Sequence, residues 1–338
     1  MLAGGLLFVI EGGYKAVEEK YRNRIFKIKE NIASVVVGKE QVTELLLAAL
    51  LAGGHVLLED LPGTGKTLLA RTLAGTLNLD FGRVQFTPDL MPSDVTGIHY
   101  FNQKTCEFEF RSGPVFAGLL LADEINRATP RTQASLLEAM EERQVTIDGE
   151  TRKLPDPFFV IATQNPVESS GTFPLPEAQM DRFLMKIPVG IPEKEAEKEI
   201  LLRFQYEQQH PLRKLESVCS LSELTELKAA AEQVYVHPLL LDYLVELVRA
   251  TRNASAVGVL SGASPRGSLA LLKAVKAYAL ISGRDFVVPE DIRKLAVPVL
   301  AHRLVMPKLY GSNTLPEVVI ETILGTVNVP VENWNIPG

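Results

Sequence analysis

The stretch Glu59-Asp60-Leu61-Pro62-Gly63-Thr64-Gly65-Lys66-Thr67-Leu68-Leu69-Ala70 constrains the fold more than any other part of the 338-residue chain. Before it, Val56-Leu57-Leu58 has the length and composition of a buried parallel strand. After it, Leu68, Leu69, Leu73 and Leu77 recur at helical spacing. A glycine-rich turn between a strand and a helix directs backbone N–H groups into the turn. The helix N-terminus adds partial positive charge, so the turn suits a polyphosphate. Gly63, Thr64 and Gly65 form the cradle, with Pro62 and Leu68 beside it. Lys66 is placed to reach the β/γ-phosphates and the Thr67 hydroxyl to hold Mg²⁺. The common form of the motif has a glycine where this chain has Asp60, which leaves the segment from Gly63 to Thr67 whole.

The chain is long enough for two domains and a sizeable core. Its net charge of −6 argues against non-specific nucleic-acid binding. Cys106 and Cys219 are far apart, which points away from a disulfide framework or zinc site and toward a reducing cytoplasm. The apolar opening Leu6-Leu7-Phe8-Val9-Ile10 is too short to span a bilayer. It also lacks the basic flank and cleavage site of a signal peptide, so no stable membrane insertion is expected.

Further strands are expected at Arg83–Phe86, Leu119–Ala122, Phe158–Ala162 and Phe183–Ile187. Helices are expected at about 13–31, 40–52 and 132–143, besides the one after the glycine-rich turn. Alternating strands and helices imply a three-layer α/β fold with a mostly parallel, five-stranded sheet. Two hairpins interrupt it. Residues 97–101 and 107–110 flank a polar turn, and alternation of Phe108 and Phe110 with glutamates suggests a half-buried pair. Asp148-Gly149 suits the positive φ angles of a two-residue turn between 144–147 and 150–154. Beyond Pro192 the pattern is helical, at about 193–210, 222–235, 238–252, 266–282 and 289–304. This gives an N-terminal extension and helix (1–31), a nucleotide-binding core (32–190) and an all-α region with a tail (191–338).

Hydrolysis needs a carboxylate for Mg²⁺, a group that positions water and positive charge for the transition state. Asp123 and Glu124 end a buried strand, and ligands sit at the carboxyl ends of parallel strands. Asp123 is placed to orient Mg²⁺ and Glu124 to polarise the attacking water. Asn165 follows another core strand, where its amide can hold the water or touch the γ-phosphate.

Four blocks together resemble the MoxR family of AAA+ ATPases: Pro62–Thr67, Ala122-Asp123-Glu124-Ile125-Asn126-Arg127, Ala162-Thr163-Gln164-Asn165-Pro166 and Leu175–Phe183. The resemblance runs from about Ile32 to Leu304. It implies a P-loop NTPase core of αβα layers followed by a smaller helical lid, with ATP and Mg²⁺ as cofactors. It makes Lys66 and Thr67 Walker A, Asp123 and Glu124 Walker B, and Asn165 sensor 1. It makes Arg182 an arginine finger that acts on a neighbouring subunit's nucleotide. Arg266 resembles sensor 2, a lid arginine that closes over the γ-phosphate, and Val37 and Gly38 match the segment along the adenine. The expected function is a Mg²⁺-dependent ATPase working as a ring, a hexamer, that remodels or activates a client protein, often one with a von Willebrand factor A domain. The rival expectations are a slow nucleotide-dependent scaffold and a nucleic-acid motor, the latter disfavoured by the acidic charge.

Overall fold

The computed structural model describes residues 18–59, 63–165, 171–206, 211–307 and 315–330. Its centre is a sheet of β1 (Val56–Glu59), β2 (Phe81–Gln85), β5 (Leu119–Asp123), β8 (Phe159–Gln164) and β9 (Met185–Pro188). The spatial order is β2-β5-β8-β1-β9, and every neighbouring pair is parallel. Side chains alternate faces along a strand, and the apolar runs divide accordingly. Val56, Leu58, Leu119, Leu121, Phe159 and Ile161 join one core, while Leu57, Leu120, Ala122, Val160 and Ala162 join the other. Both faces are therefore buried, as all-parallel sheets require.

The second core is closed by α5 (Pro130–Glu142) through Leu136, Leu137 and Met140. On the other face lie α1 (Glu19–Val35), α2 (Glu40–Leu51) and α3 (Lys66–Thr76). The expected early helix is present, buried through Ile25, Ile28, Ile32 and Val35, and it runs four residues beyond Asn31. The core on this face does not stop at the sheet. It continues into α8 (Leu221–Gln233), α9 (Pro238–Arg252), α10 (Pro265–Ile281) and α11 (Pro289–Leu300). The short α6 (Glu177–Met180) precedes the last strand, and a further helix, α7 (Lys194–Tyr206), follows it. The stretch expected as a tail contains α12 (Pro316–Thr326), which buries Val319, Ile320, Ile323 and Leu324. Pro316 at its first turn and apolar residues at helical spacing supply the reason.

A short helix, α4 (Pro92–Thr96), leads into the first hairpin, β3 (Gly97–Asn102) with β4 (Glu107–Ser112). The expectation of a half-buried pair is corrected here. Phe108 is 74% exposed and lies cross-strand to the exposed Phe101, whereas Phe110 is partly covered by Phe116. The hairpin projects outward, so only its base reaches the protein. The second hairpin, β6 (Gln144–Ile147) with β7 (Glu150–Lys153), turns at Asp148 and Gly149, with φ of 51° and 85°. Positive φ at both positions matches the turn expected from Asp-Gly. The hairpins meet where His99 Nδ1 lies 2.8 Å from Asp148 Oδ2 and Arg152 stacks over Phe110.

The helical region is pinned to the sheet by a buried cation. Arg303, in the turn after α11, places Nε 2.7 Å from Asp181 Oδ1 and donates to the carbonyls of Phe183, Leu184 and Val299. Burial pulls its pKa down to about 10, against the opposing pull of Asp181.

His55, before β1, is also fully enclosed. Its Nδ1 accepts the Val160 N–H at 3.0 Å, and its Nε2 faces the Met140 carbonyl at 3.1 Å. Burial, with the Arg143 charge adding to it, pushes its pKa down to about 3. The unfolded chain takes up this proton near pH 6.5 and the folded chain does not, so stability falls as pH drops from about 6.5 toward 3. Its share is about 1.4 kcal/mol per pH unit. Urea midpoints recorded from pH 7 to 4 should decline less steeply for His55→Gln than for wild type. Parallel declines would contradict this assignment.

Candidate functional site

The glycine-rich turn leaves β1 at the carboxyl edge of the sheet and enters α3. Gly63 and Gly65 have φ of +88° and +90°, conformations that L side chains rarely adopt. A Cβ added at either would meet nothing within 4 Å, so the turn encloses open space rather than protein. The N-cap of α3 is Gly65, which has no side chain to cap the first turn, and this suits the helix N-terminus to an anion. A cavity of about 420 Å³ opens there. Its walls bring together Gly63, Thr64, Gly65, Lys66, Thr67 and Leu68 from this turn. Asp123 and Glu124 from the end of β5, and Asn165 beyond β8, complete the expected set. Pro62 lies outside the described residues.

The two acidic residues are held differently. Asp123 Oδ1 accepts from the Thr163 hydroxyl at 2.7 Å, and its Oδ2 pairs with Arg83 at 2.8 Å. Glu124 adopts a left-handed conformation, φ 55° and ψ 50°, which is costly for a non-glycine residue. The Thr163 oxygen, in turn, accepts the Glu124 N–H at 2.8 Å. Glu124 Oε2 then receives the Gln85 amide at 2.8 Å and Arg127 at 3.0 Å. The parallel pairing of β2 with β5 sets Gln85 opposite Asp123, so these contacts follow from register.

A second cavity, about 280 Å³ and mostly apolar, adjoins the first and shares Gly63, Thr64, Gly65 and Leu68 with it. Val37 lines it, opposite Ile200, Arg203 and Phe204 from α7. Gly38 does not line it but has φ +68°, and a Cβ there would come within 2.6 Å of Ala196. Glycine thus lets α7 pass close against this segment.

Arg182 and Arg266 are brought together but lie elsewhere. Both pair with Glu141 at the end of α5, Arg182 Nε at 3.0 Å and Arg266 through its terminal nitrogen. The Arg266 hydrogen bond holds the Glu141 carboxyl below its ordinary range, with the charges of Arg266 and then Arg182 adding to it. Neither arginine lines either cavity. Arg266, expected to close over a γ-phosphate, sits at Glu141 within its own chain. Helix α10 buries Leu271, Ala274 and Val275 in the large core, which fixes its first turn beside α5.

Sequence reasoning missed Arg83, Gln85, Thr163, Arg203 and Phe204. Arg83 and Gln85 had a readable signal, since they alternate with Val84 in a run taken for a core strand. Alternation of this kind marks a strand with one polar face.

The donors fit Mg²⁺, a hard cation commonly held by one or two carboxylates, waters and substrate phosphates. Thr67 and Asp123 offer oxygen, and no cluster of three or more His, Cys, Asp or Glu suited to a metal occurs among the described residues. No described helix is long and apolar enough to cross a membrane.

Residues 55–185 match the family described as ATPase family associated with various cellular activities (AAA), and residues 249–322 match the AAA lid domain. The uncharacterised protein YeaC of Bacillus subtilis is 48% identical over 94% of this chain and 98% of its own length. Chaperone MoxR1 of Mycobacterium tuberculosis is 43% identical over 95% of this chain and 85% of its own. The crystal structure of a candidate ATPase from Cytophaga hutchinsonii superimposes with a TM-score of 0.86 at 42% identity, covering 92% of this chain and 96% of that one.

Alanine at Gly65 should strain the turn by about 1–2 kcal/mol without any clash, lowering the melting temperature and weakening nucleotide binding together. Retention of both would show that the left-handed turn is not required.

Proposed function

The chain belongs to the MoxR family of AAA+ ATPases, and on that premise we propose that it hydrolyses ATP at sites shared between subunits of a ring to remodel or activate partner proteins. The observation that carries this reading is the single cavity in which the phosphate turn, the carboxylates of Asp123 and Glu124, and Asn165 meet. ATP fits the two adjoining spaces, phosphates against Gly63–Thr67 and base against Val37 and the apolar wall of α7. Mg²⁺, held by Thr67 and Asp123, would supply charge neutralisation at the phosphates. Glu124 accepts a proton from the attacking water at Oε1, while Gln85 and Arg127 hold Oε2. Asn165 holds that water or the γ-phosphate.

Arg182 and Arg266 are set away from their own chain's cavity, on a common carboxylate. A transition-state cation must touch the phosphoryl group, so this placement supports a role for the two on a neighbour's nucleotide. That argues for assembly, which we take to be a homo-oligomeric ring, a hexamer by family resemblance. A relative named as a chaperone supports a protein client, and the von Willebrand factor A domain is the proposed partner class. Nucleic acid is not expected, and the cytoplasm is the proposed location.

One observation favours a second reading. Glu124 is engaged by two partners, as expected of a scaffold that binds ATP and hydrolyses it slowly.

Steady-state ATP turnover against protein concentration, with mass measured alongside, tests the reading. Turnover per subunit should rise as assemblies form, and Glu124→Gln should cut it at least about 100-fold. Flat turnover from a monomer, or an undiminished Glu124→Gln variant, would overturn it. Partner release driven equally by a non-hydrolysable analogue would favour the scaffold.

A further inference from the structure

Arg83 brings a permanent positive charge to the carboxylate that the ATPase reading reserves for Mg²⁺. Its guanidinium lies 2.8 Å from Asp123 Oδ2 and 3.2 Å from Gln85 Oε1. Because the Thr163 hydroxyl occupies Oδ1, both oxygens of this carboxylate are engaged. A divalent cation approaching Asp123, directly or through water, therefore meets an existing cation within contact range, where repulsion between charges is large.

The two ends of the pair are unequal. The Asp123 side chain is only 15% exposed and fixed at the end of a buried strand, whereas that of Arg83 is 43% exposed on a long stem. When competition arises, the arginine is the member that can leave.

We propose that Arg83 is the resident counter-cation of Asp123 and sets the concentration at which Mg²⁺ enters by competing for that carboxylate, an inference that rests on the ATPase reading of the cavity. Without nucleotide, Arg83 holds the site and a metal ion has little to gain. Phosphate oxygens add ligands and negative charge, and the balance then tips toward the metal. Metal and nucleotide consequently enter together, which guards the acidic pair against stray divalent cations.

The test uses Mn²⁺, visible by electron paramagnetic resonance, titrated into the nucleotide-free full chain. R83Q should bind Mn²⁺ at least tenfold tighter than wild type, because a charge beside the carboxylate is gone and the hydrogen-bonding amide is kept. R83K, which preserves the charge, should stay within about threefold of wild type. The gain should vanish in R83Q/D123N. Equal or weaker binding by R83Q, a tenfold gain in R83K, or a gain that survives loss of Asp123 would overturn the proposal. Failure of the ATPase reading would register separately, as no ATP binding to the wild-type chain by calorimetry.

Discussion

Strands β1, β5 and β8 are buried on both faces, and this constraint organises the molecule. Leu57, Leu120 and Ile161 are each 0% exposed, which leaves no room for a charged side chain along the body of any of these strands. Buried polar groups without partners are costly, so charge is pushed to the ends. The five strands of the central sheet run in one direction, which collects Glu59, Asp123 and Gln164 at a single edge. The glycine-rich turn leaves from the same edge because it follows β1. The site is thus a consequence of parallel pairing, and its acidic pair faces a helix N-terminus by topology.

The second constraint is the junction around Arg303. Removing a charge of this kind from water costs several kcal/mol, offset only where geometry and hydrogen bonds are good. Here the guanidinium meets Asp181 and three carbonyls, so helix-region position and the segment bearing Arg182 are fixed relative to each other. Arg266 reaches Glu141 from the same region. Two arginines proposed to act on a neighbour are therefore held on one carboxylate, that of Glu141. The left-handed Glu124 and its grip by Gln85 and Arg127 describe a site set before turnover. Strain of this kind persists only where the surroundings enforce it, and the Thr163 hydroxyl, accepting the Glu124 N–H, does so.

Much of this was legible in the sequence because the signals are local. Apolar runs of four to six residues, Asp-Gly at a hairpin, and glycines between a strand and a helix each encode their own geometry. Phe108 shows where such reading stops. Its alternation with glutamate is that of a half-buried strand, yet the hairpin stands off the protein and leaves the ring exposed. Periodicity reports which face is apolar, not whether anything covers it. Arg266 shows a second limit. Its motif predicts proximity to a phosphate but not whose phosphate, which depends on how α10 packs against helices far off in the chain. The partnership of Arg83 with Asp123 depends on the register of β2 against β5, a long-range property that no local pattern contains.

The central claim is that each hydrolytic site is completed by a second copy of the chain. Mixing two inactive variants tests it most directly. Glu124→Gln keeps Arg182, and Arg182→Ala keeps Glu124, so an interface between them can present one intact set. The account predicts negligible ATP turnover from either variant alone and substantial turnover from the mixture. A mixture as inactive as its components, in assemblies shown by mass to contain both, would contradict it.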